Sequence, residues 1–299
     1  MHQLTGVHIY EKRAEDDWTR LGLVVQLLSI LSWKSRYGKI ELFTNEAHLE
    51  DLRAHGIDKL YDKIDTTTLA SVEVDTKKWW AFGKIQIAAQ LEPPFVILDT
   101  DLWITDFINF NYANSYQGYH YEVIFGPHQN NSYIVDPRPL LPEEWKYRWD
   151  FEVAPTNTAV LFINNKELVK EWYDICLRIA TLDPVEINED ISSAAHMTFI
   201  EQRLLPMIAA EYRLPYSTIV SPRYLSHTSL SGGAEWQPNY SEWSDETRLE
   251  FSKIVHIWGL KRALNEPGIK PLVYQTILQS VGNYPEIRAK YSKVLEYWD

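Results

Sequence analysis

The residues whose types could combine into chemistry lie in three separated stretches: Asp99 and Asp101, Asn157, and His256. The first pair ends the run Pro94-Phe95-Val96-Ile97-Leu98-Asp99-Thr100-Asp101. Side chains at i and i+2 of an extended chain point the same way. Both carboxylates can then aim at one point, which suits a divalent cation held through oxygen. The alternative is an acidic turn that only ends a strand. Asn157 stands in Pro155-Thr156-Asn157-Thr158, ahead of the apolar Ala159 to Ile163, where it either hydrogen-bonds a ligand or shapes the turn. His256 follows Ile254-Val255 and is either a third metal ligand or a satisfied core histidine.

The elements that must position these residues follow an α/β rhythm. Val7 to Tyr10 is a first strand, and the charged Glu11 to Asp17 a loop. Trp18 to Trp33 has the apolar period of a helix covered on most of its surface. Lys39 to Thr44 is a strand. Asn45 caps the next helix and Gly56 ends it. Tyr61 to Ile64 is a third strand. Lys77 to Lys84 leads into a helix through Ala89, stopped by Pro93-Pro94. The unbroken apolar run before Asp99 suits a central strand buried on both faces, with its ligand crevice at the C-terminal end. Beyond it, the pattern predicts strands at Trp103 to Phe110, Glu122 to Gly126, Ala159 to Ile163, Ser217 to Ser221 and Lys253 to Gly259. Loops are expected at Tyr112 to Tyr121, His128 to Asp150 and Ser226 to Ser244. Asn165 caps an amphipathic helix carrying Leu168, Val169, Trp172, Ile175, Cys176 and Ile179. Thr198-Phe199-Ile200-Glu201 reads as a capping box, although Pro206 then falls in a helix interior. Two short helices end the chain. The expectation is a three-layer, mostly parallel sheet.

The 299 residues are 45% hydrophobic and 13% aromatic, ample for a core. A formal charge of -12 argues against general nucleic-acid binding. Cys176 is the only cysteine, a core filler rather than a nucleophile, and no internal disulfide is possible. With no signal-peptide pattern and no apolar tract of membrane-spanning length, the expected location is cytoplasmic. The 12 tryptophans offer rings for stacking on sugars.

Two motifs together resemble a nucleotide-sugar-dependent glycosyltransferase of the A-type fold. One is the Asp-x-Asp of Leu98-Asp99-Thr100-Asp101. The other is the His-x-x-Gly ending of His256-Ile257-Trp258-Gly259-Leu260-Lys261-Arg262, which departs from the family's His-x-x-Gly-x-x-Lys by placing arginine last and lysine one earlier. The stretch from Trp79 to Ile104 is also similar to bacterial capsule-type and uncharacterised transferase-like proteins. The resemblance implies a catalytic domain over residues 1–262, with a C-terminal helical extension over 263–299. It implies Mn²⁺ or Mg²⁺ held by Asp99, Asp101 and His256, and a UDP sugar as donor. Lys261 and Arg262 would hold its diphosphate, with Gly259 allowing close approach. Asn157, Lys84, Tyr10 and Asp99 complete the implied donor set. The acceptor would be a sugar or glycan, and the His-x-x-Gly ending implies retention of stereochemistry.

Read without the resemblance, Lys84 belongs to a solvated helix face. Glu189, Asp190 and Glu201 are the candidate catalytic carboxylates, with helix-terminal roles as their alternatives. Two rival functions stand beside the hexosyltransferase-like reading. One is a non-catalytic carbohydrate-binding protein on the same fold. The other is a haloacid-dehalogenase-type phosphohydrolase, which also uses Asp-x-Asp but normally near the N-terminus and without Trp103 two residues on.

Overall fold

The computed structural model describes residues 4–12, 20–71, 74–76, 79–122, 136, 138, 141–181, 193–220 and 253–256. Its centre is a seven-stranded mixed sheet with helices on both faces, an α/β fold. The strands are β1 (Thr5–Tyr10), β2 (Ile40–Thr44), β3 (Lys63–Asp65), β4 (Phe95–Leu98), β6 (Tyr116–Gly118), β7 (Val160–Ile163) and β8 (Tyr216–Thr218). They run in the order β3-β2-β1-β4-β7-β6-β8. Only β7 is antiparallel to its neighbours, β4 on one side and β6 on the other; every other pairing is parallel.

The apolar run of β4 is divided between two cores. Phe95 and Ile97 face the one built with helices α3 (Phe82–Gln90), α4 (Lys166–Thr181) and α6 (Leu204–Glu211). Val96 and Leu98 face the other, built with α1 (Arg20–Tyr37). β7 alternates in the same way, with Leu161 and Ile163 on the first core and Val160 and Phe162 on the second. A strand covered on both faces has no polar side to show, hence the unbroken run. α2 (Glu46–His55) begins at Asn45, whose side chain accepts from the His48 N–H, and ends at Gly56 in the left-handed region, φ 72°.

A second, two-stranded sheet sits at the C-terminal end of β4. It pairs β5 (Leu102–Ile104) antiparallel with β9 (Ile254–His256), with Leu102 opposite His256. α1 holds it down: the Ile104 N–H donates to Ser32 Oγ at 3.1 Å.

Three readings of the sequence need correction. Tyr112 to Tyr121 is not all loop, because Tyr116–Gly118 forms β6, buried throughout. The tyrosine- and glycine-rich composition hid it, and Gly118 is required there: an added Cβ would lie 2.8 Å from Thr156 Cβ. The strand expected over Trp103 to Phe110 is confined to β5. Third, Thr198 makes no capping hydrogen bond. It ends α5 (Ser193–Thr198), and a π-helical segment, Phe199–Arg203, carries the chain into α6. The Leu204 N–H bonds back to the Phe199 carbonyl, five residues away. Pro206 explains part of this geometry. Having no N–H, it leaves the Gln202 carbonyl to be satisfied elsewhere, and the Thr156 N–H donates to it at 2.9 Å.

The expected strand over Glu122 to Gly126 falls beyond Glu122 outside the described residues, as do the first part of the long loop from His128, the loop from Ser226 and the C-terminal extension. None of the helices among the described residues is long and apolar enough to cross a membrane.

Candidate metal centre

Asp99, Asp101 and His256 converge. β4 delivers Asp99 at its end, a turn at Thr100–Asp101 turns the second carboxylate back, and the β5–β9 pairing brings His256 over it. The carboxylates thus meet through a turn rather than through the alternation of an extended strand. His256 Nε2 lies 3.3 Å from Asp101 Oδ1 and 3.9 Å from Asp99 Oδ2. One ligand atom from each residue lies within 4.8 Å of the other two. Cis ligands about 2.1 Å from an octahedral cation are about 3 Å apart, and trans ligands about 4.2 Å. The donor set fits a divalent cation. Two carboxylate oxygens and one imidazole suit Mn²⁺, with Mg²⁺ accepting the oxygens more readily than the nitrogen.

The electrostatics of the group are those of a crowded acidic site. Burial raises the pKa of Asp99, Lys84 pulls it down, and the charge of Asp101 adds to the rise. For His256, burial opposes protonation. The bond to Asp101 and the charges of both aspartates outweigh it, and the pKa is raised.

Lys84 is not on a solvated helix face. Its side chain is 11% exposed. The ammonium donates to Asp99 Oδ1 at 2.8 Å, to Glu201 Oε1 at 2.7 Å, and to Thr158 at 3.3 Å (carbonyl) and 3.4 Å (Oγ1). Burial opposes its charge, but Asp99 and Glu201 overcome this and raise its pKa. Glu201 comes from the π-helical segment and accepts a second bond at Oε1 from the Thr158 hydroxyl at 2.6 Å. Its expected capping bond is replaced by this long-range pairing.

Asn157 has both ends of its amide engaged within the chain. Nδ2 donates to Glu122 Oε1 at 2.9 Å, and Oδ1 accepts from the Ala159 N–H at 2.9 Å. Tyr10, at the end of β1, packs its ring on His48 with centroids 4.5 Å apart. Cys176 is buried against the Ile200 carbonyl, and burial pushes its thiol pKa well up. Glu189, Asp190, Gly259, Lys261 and Arg262 lie outside the described residues.

Sequence reasoning overlooked Thr158 and the buried pair His120 and Glu122. Burial lowers the pKa of His120, Glu122 partly offsets this, and the charge of His256 lowers it further. The one local signal was their place beside strand ends: Tyr121 bridges to Thr156, and the Asn157 N–H donates to the His120 carbonyl at 2.8 Å.

The model of a family of unknown function, DUF6734, matches residues 18–262. No curated protein sequence matches the chain. Among solved structures, the apo form of mouse xyloside xylosyltransferase 1 is similar at 14% identity, covering 85% of this chain and 96% of that one with a TM-score of 0.43.

Proposed function

The chain belongs to the family of unknown function DUF6734, and we propose that it is a metal-dependent glycosyltransferase that moves a sugar from a nucleotide sugar, a UDP sugar, to a glycan acceptor. One observation carries the reading. An Asp-Asp-His group of cation-binding geometry forms at the C-terminal end of the central strand β4, from residues far apart in the chain. That end of an α/β sheet is where ligands bind. Asp99, Asp101 and His256 would hold the cation. When bound, it supplies positive charge against the diphosphate that leaves the anomeric carbon.

The chain's own residues do the rest. Asp101, buried at 8% exposure, presents Oδ1 toward His256. Tyr10 is the contact proposed for the nucleoside end of the donor, while Asp99 serves the cation. The cationic pair Lys261-Arg262, with Gly259, is proposed for the diphosphate on the strength of the sequence motif. Asn157 keeps the turn before β7 in shape beside the sugar position. An inverting reaction needs a carboxylate opposite the leaving group to take the acceptor's proton. Glu201 is a poor candidate, since its Oε1 already accepts from Lys84 and Thr158. Retention, in which the leaving phosphate takes that proton, is proposed on the strength of the His-x-x-Gly ending.

Tryptophan fluorescence quenching by UDP tests the reading, since Trp103 is half-buried in β5 next to the site. UDP should quench in the presence of Mn²⁺ and not without it. Asp101→Ala and His256→Ala should each weaken UDP–Mn²⁺ binding by more than about tenfold. Unchanged affinity in both variants would overturn the metal site.

A further inference from the structure

We propose that Lys84 is a positioning residue for the metal centre: clamped by Glu201, it occupies Oδ1 of Asp99 and leaves Oδ2 as the one oxygen that Asp99 presents to a cation. The inference rests on the metal-dependent reading above, and departs from the donor-contact role that the resemblance implies for this lysine. An ammonium has three N–H bonds to give. Here they are directed to Asp99 Oδ1, Glu201 Oε1 and Thr158, so none remains for a phosphate or a sugar hydroxyl. The two oxygens of Asp99 face different partners: Oδ1 faces Lys84, and Oδ2 is the atom 3.9 Å from His256 Nε2.

The clamp is built from three elements. α3 brings Lys84, the turn before β7 brings Thr158, and the π-helical segment brings Glu201. Glu201 is 4% exposed, and a carboxylate so buried needs a partner. Lys84 is that partner and is held by it in turn. The π-helical segment is fastened to the same turn, through the Thr156 N–H on the Gln202 carbonyl. Rare π segments occur disproportionately at functional sites, and this one places the counter-charge of the clamp. Groups that orient metal ligands from behind typically change metal affinity by about 10–100-fold when removed.

The test separates orientation from charge. Lys84→Met alone removes a cation beside the site, and Glu201→Gln alone removes an anion. The double variant Lys84→Met/Glu201→Gln removes both and preserves the net charge. Free Mn²⁺ is measured by electron paramagnetic resonance on the whole chain without nucleotide, alongside thermal melting in the absence of metal. The double variant should bind Mn²⁺ at least about tenfold more weakly than wild type. Any fall in melting temperature should match that of a control double change in the α4 core, which should leave Mn²⁺ affinity intact. Wild-type Mn²⁺ affinity retained by the double variant, with only UDP–Mn²⁺ binding weakened, would make Lys84 a donor contact and overturn the clamp alone. Should the double variant not fold, Glu201→Asp decides, because it keeps the charge while withdrawing the carboxylate from Lys84: a loss of Mn²⁺ affinity of several-fold supports the clamp, and no loss overturns it. Absence of Mn²⁺ binding by the wild type, with or without UDP, would overturn the proposed function and the clamp together.

Discussion

His256 Nε2 faces Asp101 Oδ1 at 3.3 Å, across the pairing of β9 with β5. With no cation between them, a proton on the imidazole serves as the counter-charge. The His256 pKa is raised from 6.5, so protonated His256 stabilises the fold at low pH. That contribution is fully present below the unfolded value and is lost as pH rises through the higher folded value. Metal-free protein should therefore lose stability in chemical denaturation as pH climbs above 6.5. His256→Asn should flatten that part of the profile. Mn²⁺ affinity should rise over the same window, because the cation must displace the proton. A metal-free stability profile that is flat in wild type would contradict the pairing.

His8 predicts the opposite slope on the acid side. It is fully buried between Tyr61 Oη at 2.8 Å and Ser29 Oγ at 3.0 Å. Burial, partly offset by Asp101, takes its pKa from 6.5 to about 3. A histidine kept neutral contributes stability above its unfolded pKa, and the contribution is lost as pH falls from there toward the folded value. Between pH ~7.5 and ~5 the loss from His8 should be about 2 kcal/mol. His8→Gln should have a shallower acid limb in urea titrations, whatever its stability at neutral pH.

Gly118→Ala should be costly despite being a one-carbon change. The new Cβ would press on Thr156 at 2.8 Å and on the Asn157 carbonyl at 3.0 Å. Neither backbone can easily retreat, because the Tyr119 N–H donates to that same Asn157 carbonyl at 2.8 Å. Overpacking of this kind costs about 1–3 kcal/mol, measurable as a lower urea midpoint. Since Thr158 lies on the same turn, UDP–Mn²⁺ affinity should fall with it.

Cys176 should be inert in the native state. Its thiol is buried and held protonated by that burial, and the thiolate is the reactive form. A thiol-reactive disulfide reagent should label one group per chain in denaturant and none in buffer. Rapid native labelling would mean that α4 does not pack as described.

The sequence disclosed the convergence of Asp99, Asp101 and His256 better than their surroundings. Asp99 and Asp101 were legible as carboxylates at the end of an apolar strand, although the turn at Thr100–Asp101 that aims them was not, and His256 because a motif accompanies it. Lys84 was not, since one lysine among the apolar residues of α3 has no local mark that distinguishes a buried ion pair from a solvated tip. Glu201 was misread because Thr198-Phe199-Ile200-Glu201 satisfies a local capping pattern, while its actual partners, Lys84 and Thr158, come from elsewhere in the chain. The α/β architecture followed from alternating strand and helix patterns. The reversed direction of β7 did not, because the direction in which a strand joins a sheet is fixed by its neighbours rather than by its own residues. β6 was lost for a different reason: three residues, one of them glycine, carry too little periodicity to register.

The π-helical segment before Pro206 acts as a change of phase. One residue added to a helical turn rotates everything beyond it by about 100° relative to everything before it. Within the segment, the chain turns Glu201 toward Lys84. Downstream, Leu204, Leu205, Met207 and Ile208 still face the core. Without that offset, one rigid helix would have to serve both a polar appointment and an apolar one from a single angular setting. With it, Glu201 meets Lys84 at one angular setting while the apolar residues of α6 meet the core at another.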